Sequence, residues 1–273
     1  MMCATLWDMS THEEKTWPAA GQFWWHGDEP DDPAAYPLHA VVFDLDALSD
    51  MDLEGHRVVY NAAFASLGLD LQWSVGRYQR LMALPDERQR VAAELRKRCV
   101  GTECDVLVNL LVDEICAAKD MMFEEMILDA GLTPRPGLVD LVMDAFVAHI
   151  PVSVVTTGRR SWAEPLVRQL VGEGLVESVV TADDVTGPNL FGHALAELGV
   201  APHDALAVAG SPAGLRAANA AGLATVLIDA DAGRGRAAAA VRSGYSDTGD
   251  ALRLANCRRL HARWWDQHTP SAA

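Results

Sequence analysis

Two aspartates, Asp44 and Asp46, stand one residue apart in the stretch AVVFDLDALSD, residues 40–50. Residues i and i+2 of a strand project to the same side. The pair is therefore expected to lean together where an apolar strand ends. Neighbouring carboxylates suit a nucleophile beside a general acid/base, or two oxygen ligands of a hard cation. The alternative for a single Asp-x-Asp is a capping or solubilising pair. Other groups of chemical interest are Thr156, Thr157 and Gly158 after PVSVV, Gly210 and Ser211 after DALAVA, and Asp183 and Asp184 in TADDV. Asp52 and His56 follow the first pair, and Glu87 and Arg88 sit in ALPDERQR. For Asp52 and His56 the alternatives are a helix N-terminal acid and a packed histidine.

The elements that must position these groups follow from the hydrophobic pattern. HAVVFDLD reads as a buried parallel strand. Residues 52–131 read as helix throughout, a block closed by TPRPG. Beyond it, short apolar strands and helices alternate, which argues a parallel sheet covered on both faces. Such sheets place ligands at the carboxyl ends of their strands, where Asp44, Asp46, Thr156 and Gly210 all fall. The predicted organisation is an aromatic-rich extension over 1–38, a core over 39–51 and 132–245, a helical insertion over 52–131, and a C-terminal helix and tail over 246–273. RGRAAAAVRS, residues 234–243, is predicted to be helical. Leu252, Leu254, Leu260, Trp264 and Trp265 form one apolar face of the C-terminal helix, with Arg253, Arg258, Arg259 and Arg263 as a local basic patch.

Composition narrows the function classes. A formal charge of −16 over 273 residues opposes nucleic acid and anionic membrane surfaces. It does not exclude small phosphorylated ligands, which local donors decide. Five scattered cysteines without a CxxC pair argue against a disulfide framework or zinc site. The first residues lack the basic and apolar regions of a signal peptide, and no apolar run is long enough to span a bilayer. A soluble cytoplasmic protein is expected. Six of the eight tryptophans lie in the two flanks (Trp7, Trp17, Trp24, Trp25, Trp264 and Trp265). Those of the N-terminal extension are expected to pack in part on the body, and any protein partner is expected at the flanks.

The segments FDLD, GHRVVYNAAFASLGLD, AAKDMMFEEM, LTPRPGL, VVTTG and GLRAANAAGLATV, spread over residues 40–230, resemble the haloacid dehalogenase superfamily. Within it they are most similar to the CbbY-like sugar-phosphate phosphatases, relatives of β-phosphoglucomutase. The resemblance implies a Rossmann-like core with an inserted helical cap. It makes Asp44 the nucleophile that forms an aspartyl-phosphate, and Asp46 the acid/base. It makes Thr156 the phosphate hydroxyl, with Thr157, Gly158 and the backbone N–H groups beside it facing the anion. It also implies Mg²⁺, held in part by Asp44 and Asp46.

Several parts of the family pattern are missing. Ala47-Leu48-Ser49 replaces Gly-Thr-Leu in a turn one residue shorter. Residues 181–199 contain no Lys or Arg where the family carries its lysine. Ala209, Gly210 and Ser211 bring no carboxylate where the family places a distal metal acid. In the cap, Glu87 and Arg88 match the end of a Gly-Gly-Lys-Glu-Arg segment whose glycines and lysine are absent. Dehalogenases that work without Mg²⁺ keep the lysine and dispense with the second aspartate, the reverse of this chain. The expected function is a degraded phosphatase site with a binding or regulatory role, its ligand a small phosphorylated sugar. The alternative is an active Mg²⁺-dependent phosphatase on a substrate like xylulose 1,5-bisphosphate. In it Asp44 attacks phosphorus and a substitute acid, Asp183, Asp184, Asp229 or Asp231, completes the metal site.

Overall fold

A computed structural model describes residues 36–84, 86–100, 104–185, 187, 189–228, 237–246 and 251–268. The N-terminal arm with its four tryptophans, and Asp229 and Asp231, lie outside the described residues. Six strands make one parallel sheet in the order β3-β2-β1-β4-β5-β6. They are β1 (Ala40–Asp44), β2 (Val152–Val155), β3 (Ser178–Val180), β4 (Ala205–Ala209), β5 (Ala224–Ile228) and β6 (Ala240–Arg242). Every residue of β1, β4 and β5 is buried, because helices cover both faces. That is why these strands read as unbroken apolar runs. The register sets Asp44 opposite Val155 and Phe43 opposite Val208. The chain just beyond β2 and β4 is thereby brought level with the end of β1.

The insertion after β1 is helical, as the sequence predicts. Asp44 leads directly into a single turn, α1 (Leu45–Leu48), and a π-helical turn over Met51–His56 follows. Then come α2 (Arg57–Ser66), α3 (Val75–Leu81), α4 (Glu87–Lys97) and the 22-residue α5 (Asp105–Met126). These helices enclose a cluster of their own, in which Trp73 meets the rings of Tyr60, Phe64 and Tyr78 at centroid distances of 4.8–5.3 Å. The cap is joined to the main core at its foot, where Val59, Phe123 and Ile127 belong to the same buried cluster as β1 and β2.

In the core, α6 (Leu138–Val147), α7 (Arg160–Val171) and α10 (Leu254–His268) cover one face of the sheet. Helix α8 (Leu190–Leu198) lies on the other, with α9 (Pro212–Ala220) beside it. α10 buries Leu254, Cys257 and His261, with Leu260 and Trp264 packed partly against the core. The expected basic patch is reduced by one member, because Arg253 makes a two-bond ion pair with Asp144 at 2.6 Å for each bond. Arg258, Arg259 and Arg263 are exposed.

The helix predicted over 234–243 is not found in its described part. Ala240–Arg242 form β6, paired in parallel with β5 through Val226 and Ala240. Alanine is the strongest helix former, but intrinsic propensity is a weak guide that tertiary context overrides. Here the N–H of Ala239 reaches the Thr225 carbonyl at 2.7 Å, so the open edge of β5 outweighs that preference. No helix of the described residues is long and apolar enough to cross a membrane.

Candidate active site

β1 carries Asp44 to the end of the sheet, but the strand period stops there. Asp44 Oδ1 accepts from the Ala47 N–H at 2.8 Å, which caps α1 and turns the chain into a helix at once. Asp46 therefore reaches its neighbour from the first turn of α1, and not along an extended strand as the Asp-x-Asp spacing suggests. The same Oδ1 accepts from the Gly210 N–H at 2.8 Å. Asp44 is 7 % exposed, and its Oδ2 is buried without a hydrogen-bond partner. Burial, and then the charge of Asp46, push the Asp44 carboxyl well above the usual range; the two N–H groups and Arg135 oppose this less strongly. Burial also raises Asp46, against the Ser211 hydroxyl and Arg135.

The turn after Asp46 is held from three directions. Arg135 Nε and Nη2 donate to the Asp46 carbonyl at 3.2 and 3.1 Å. The Tyr245 hydroxyl donates to the Ala47 carbonyl at 2.9 Å. The Ser49 hydroxyl donates to the Thr133 carbonyl at 2.8 Å. Against this turn lies Gly210, so closely that a Cβ there would overlap the Asp46 carbonyl group and the Ala47 nitrogen. Gly214 stands against the Asp44 carboxyl in the same way, at its Oδ2.

The loop after β2 supplies the hydroxyls. Thr156 Oγ1 accepts from the Gly158 N–H at 3.1 Å. The indole of Trp162 lies where a Cβ on Gly158 would be. Two cavities, each of about 370 Å³, meet along Leu45, Asp46, Thr156 and Thr157. The core-facing one runs towards α8 and α9 and is bordered by Asp44, Val155, Leu190, Phe191 and Ala217. The cap-facing one is bordered by His56, Lys119, Phe123, Gly158, Arg159 and Trp162.

The cap residues expected at the site divide. His56 lines the cap-facing cavity and stacks on Phe123 at 4.7 Å. Burial, and then Lys119, lower it to about 4, with Glu87 opposing. Glu87 stands behind Lys119, accepting from its ammonium at 3.2 and 3.4 Å. Burial, the largest single influence, pushes Glu87 up, but Lys119, His56 and Tyr60 together outweigh it and the net shift is downward. Asp52 borders neither cavity; burial, and then Asp46, raise it to about 6. Arg88 is turned to the cap surface, paired with Asp113 on α5. Asp183 and Asp184 border neither cavity. Asp183 accepts from the Arg160 N–H at 2.8 Å. Asp184 accepts from the Arg160 guanidinium at 2.7 Å and from the Thr181 hydroxyl at 2.7 Å. The Arg160 hydrogen bond holds Asp184 down at about 2.

Lys119 and Arg135 are the cations that sequence reasoning passed over. Lys119 is 5 % exposed on α5. Its signal was a lone lysine among the apolar residues of AAKDMMF. Arg135 was visible only as part of the TPRPG punctuation. Across the cap-facing cavity, Arg159 pairs with Glu124 of α5 at 3.3 Å, and Phe123 meets Trp162 edge to face at 5.2 Å.

This arrangement matches a family model over residues 5–222, described as haloacid dehalogenase-like hydrolase. The chain belongs to that family. It is CbbY-like within the haloacid dehalogenases. It is 30 % identical over 198 residues to the plasmid-borne protein CbbY of Cupriavidus necator, covering 70 % of this chain and 78 % of that one. It is 32 % identical over 197 residues to protein CbbY of Cereibacter sphaeroides, covering 70 % and 84 %. Among solved structures it is similar to CbbY from Rhodobacter sphaeroides in complex with phosphate, with TM-score 0.58 and 26 % identity over 81 % of this chain and 99 % of that one. A mutant of that CbbY in complex with xylulose-(1,5)bisphosphate is equally similar. The Rossmann-like sheet and the inserted cap are those of the haloacid dehalogenase fold.

Proposed function

We propose that this protein keeps the haloacid dehalogenase frame with a degraded phosphatase site, and acts by binding a ligand and not by turning it over. The observation that carries this reading is the contact between Gly210 and the Asp46 backbone, which leaves no room for a carboxylate where the family places its distal metal acid. Asp44 supports it. One of its oxygens caps α1 and ties down Gly210; the other is buried against Gly214. A nucleophile needs an exposed, anionic oxygen aimed at phosphorus. Desolvation here favours the neutral acid instead.

The residues present do not fit Mg²⁺. A hard dication needs several anionic or carbonyl oxygens with free lone pairs. Here the Asp46 carbonyl already takes two bonds from Arg135, Gly210 offers no side chain, and Asp183 and Asp184 are engaged at Arg160. Phosphoryl transfer depends on positioned charge. Losing one positioned donor costs about 10²–10³ in rate; the lysine and the metal acid are both missing.

The ligand of the cap-facing cavity is a small phosphorylated sugar. Its phosphoryl group would lie against Thr156, Thr157 and Gly158, with Lys119 and Arg159 as nearby cations that would have to turn from Asp120 and Glu124 towards it. The solved complexes of the R. sphaeroides CbbY with phosphate and with xylulose-(1,5)bisphosphate support that class. A protein partner would engage the flanks, where α10 presents Trp265 partly exposed.

The test is phosphate release from a panel of sugar phosphates, including xylulose 1,5-bisphosphate, with and without Mg²⁺. The expected result is no release above the Asp44→Asn background. Metal-dependent turnover that Asp44→Asn abolishes would overturn the reading in favour of an active phosphatase with Asp44 as nucleophile.

A further inference from the structure

The outer side of α6 is apolar. Its only charged residues, Asp140 and Asp144, both pair with Arg253 at the start of α10. Leu138, Leu141, Val142 and Ala145 are buried in the core. Facing outward are Val139, Met143, Phe146 and Val147, from 36 % to 72 % exposed. Their spacing makes them one ridge. A helix apolar on every side is normally covered on every side. α6 is also the middle helix of its layer. α7 packs over β3, α6 over β2, and α10 over β4 and β5, so the helices follow the order of the strands. The two edges of this layer differ in charge. The turn from α7 into β3 carries Glu173 and Glu177 and no base, and Glu177 borders one cavity with Phe146 and Leu175. α10 exposes Arg258, Arg259 and Arg263 against one acid, Asp266. Among the described residues, neither the two glutamates nor the three arginines have an ion-pair partner.

We propose that this face joins two copies of the chain, their α6 ridges meeting across a two-fold axis parallel to them. Charge singles out a second copy as the occupant. That axis sets α10 of each copy opposite the α7 edge of the other, so arginines meet glutamates at both edges and the pairing is made twice. A basic helix from another protein would suit Glu173 and Glu177 but would meet Arg259 and Arg263 with like charge. Two chains that each carry −16 repel one another in general. Their approach is easiest where one presents its exposed arginines. Size sets the strength. Three helices about 10 Å apart and about 15–22 Å long offer a face on the order of 500 Å². That is below the ~800 Å² per partner of a standard interface, so the dimer is expected to be weak and concentration-dependent.

The inference goes beyond the proposed function by specifying the partner at the α10 flank. It does not rest on the reading of the phosphatase site, because neither cavity takes part. Turnover, present or absent, leaves it standing.

The test is sedimentation velocity on the full chain from about 1 to 200 μM, the range that suits a small interface. The expected result is a monomer that passes to a dimer as concentration rises. Val147→Lys puts a charge at the most exposed point of the ridge and should weaken the dimer by about tenfold or more. Arg259→Glu with Arg263→Glu should weaken it about tenfold, through the exposed pairs lost at both edges. Glu173→Arg with Glu177→Arg should do the same. All four changes together reverse both edges and should bring the affinity back to within about threefold of wild type. These positions are exposed, so each variant should melt with the wild type. If Val147→Lys does not fold, the edge variants decide alone. The inference is overturned by a chain that stays monomeric at every concentration. A basic amphipathic peptide bound by that monomer, and lost in Val147→Lys, would then give the ridge to a partner helix. The inference is equally overturned by a dimer indifferent to Val147→Lys or to the edge variants, or by one that the combined change does not restore.

Discussion

Putting the missing acid back should harm the protein and not revive it. A Cβ at position 210 meets main-chain atoms of Asp46 and Ala47, and not the movable tip of a side chain. Relief requires the Gly210 loop and the α1 turn to separate by about 1 Å, enough to bring carbon atoms back towards their optimal ~3.5 Å. The turn resists, being held by Arg135, Tyr245 and the Gly210 N–H to Asp44 bond. Overpacking of this kind costs about 1–3 kcal/mol. Losing the Gly210 bond to a buried carboxyl adds about 1–3 kcal/mol. Gly210→Ala should therefore lose roughly 2–6 kcal/mol, or about 4–24 °C in Tm at the 2–4 °C per kcal/mol of a large domain. Gly210→Asp adds a third carboxylate beside buried Asp44 and half-buried Asp46 and should lose more. Thermal and urea unfolding of both variants measures this, and Mg²⁺ titration of Gly210→Asp completes it. A Gly210→Asp protein that melts with the wild type, binds Mg²⁺ and releases phosphate would refute the reasoning, and show a site one residue short of function.

Other perturbations test the cap and its seam. Glu87→Gln leaves the Lys119 ammonium buried with only Asp120 beside it, and should cost about 3 kcal/mol. Lys119→Met should cost less, because Glu87 is 39 % exposed and can turn to water; equal losses in urea would count against this asymmetry. Trp162→Ala removes a ring that covers Gly158 and touches Phe123, with an expected loss of about 3–5 kcal/mol in urea titration. His56, lowered to about 4, binds its proton in the unfolded chain first, so it costs stability as pH falls from about 6.5 towards 4. Asp52, raised to about 6, acts in the opposite sense, its stabilising protonation being lost as pH rises from about 4 to 6. His56→Gln should therefore lessen the loss of stability between pH 7 and pH 4.5 by about 2–3 kcal/mol. An unchanged pH profile would place His56 in water instead of against Phe123, Lys119 and Glu87.

Much of the frame was legible because it rests on long, regular signals. The buried strands are apolar throughout, since helices cover both sides, and the cap is a long stretch without a strand signal. β6 was not legible. β6 is three residues, Ala-Val-Arg, at the end of an alanine run that favours helix, and only the open edge of β5 decides it. In the site, Thr156 fell at a strand end as the pattern required. The placing of Asp46 on a helical turn did not, because it depends on Asp44 accepting from Ala47 and not on the Asp-x-Asp spacing. Arg88 followed a matching segment, yet the helix phase of α4 turns it to Asp113 and turns Glu87 to Lys119. Buried Lys119 and half-buried Arg135 were missed because such a cation is legible only through its acceptors, and Glu87 and the Asp46 carbonyl lie 32 and 89 residues away in the chain.

The hydrogen bonds of Asp44 bear on how such sites change over generations. One carboxyl caps the first turn after β1 and fastens the loop after β4, so folding alone is enough to keep an aspartate there. A library selected only for folded protein should retain Asp44 while letting Asp183 drift. The aspartate that names the motif can thus outlast the chemistry, and its persistence among descendants would record a scaffold's needs, not a substrate's.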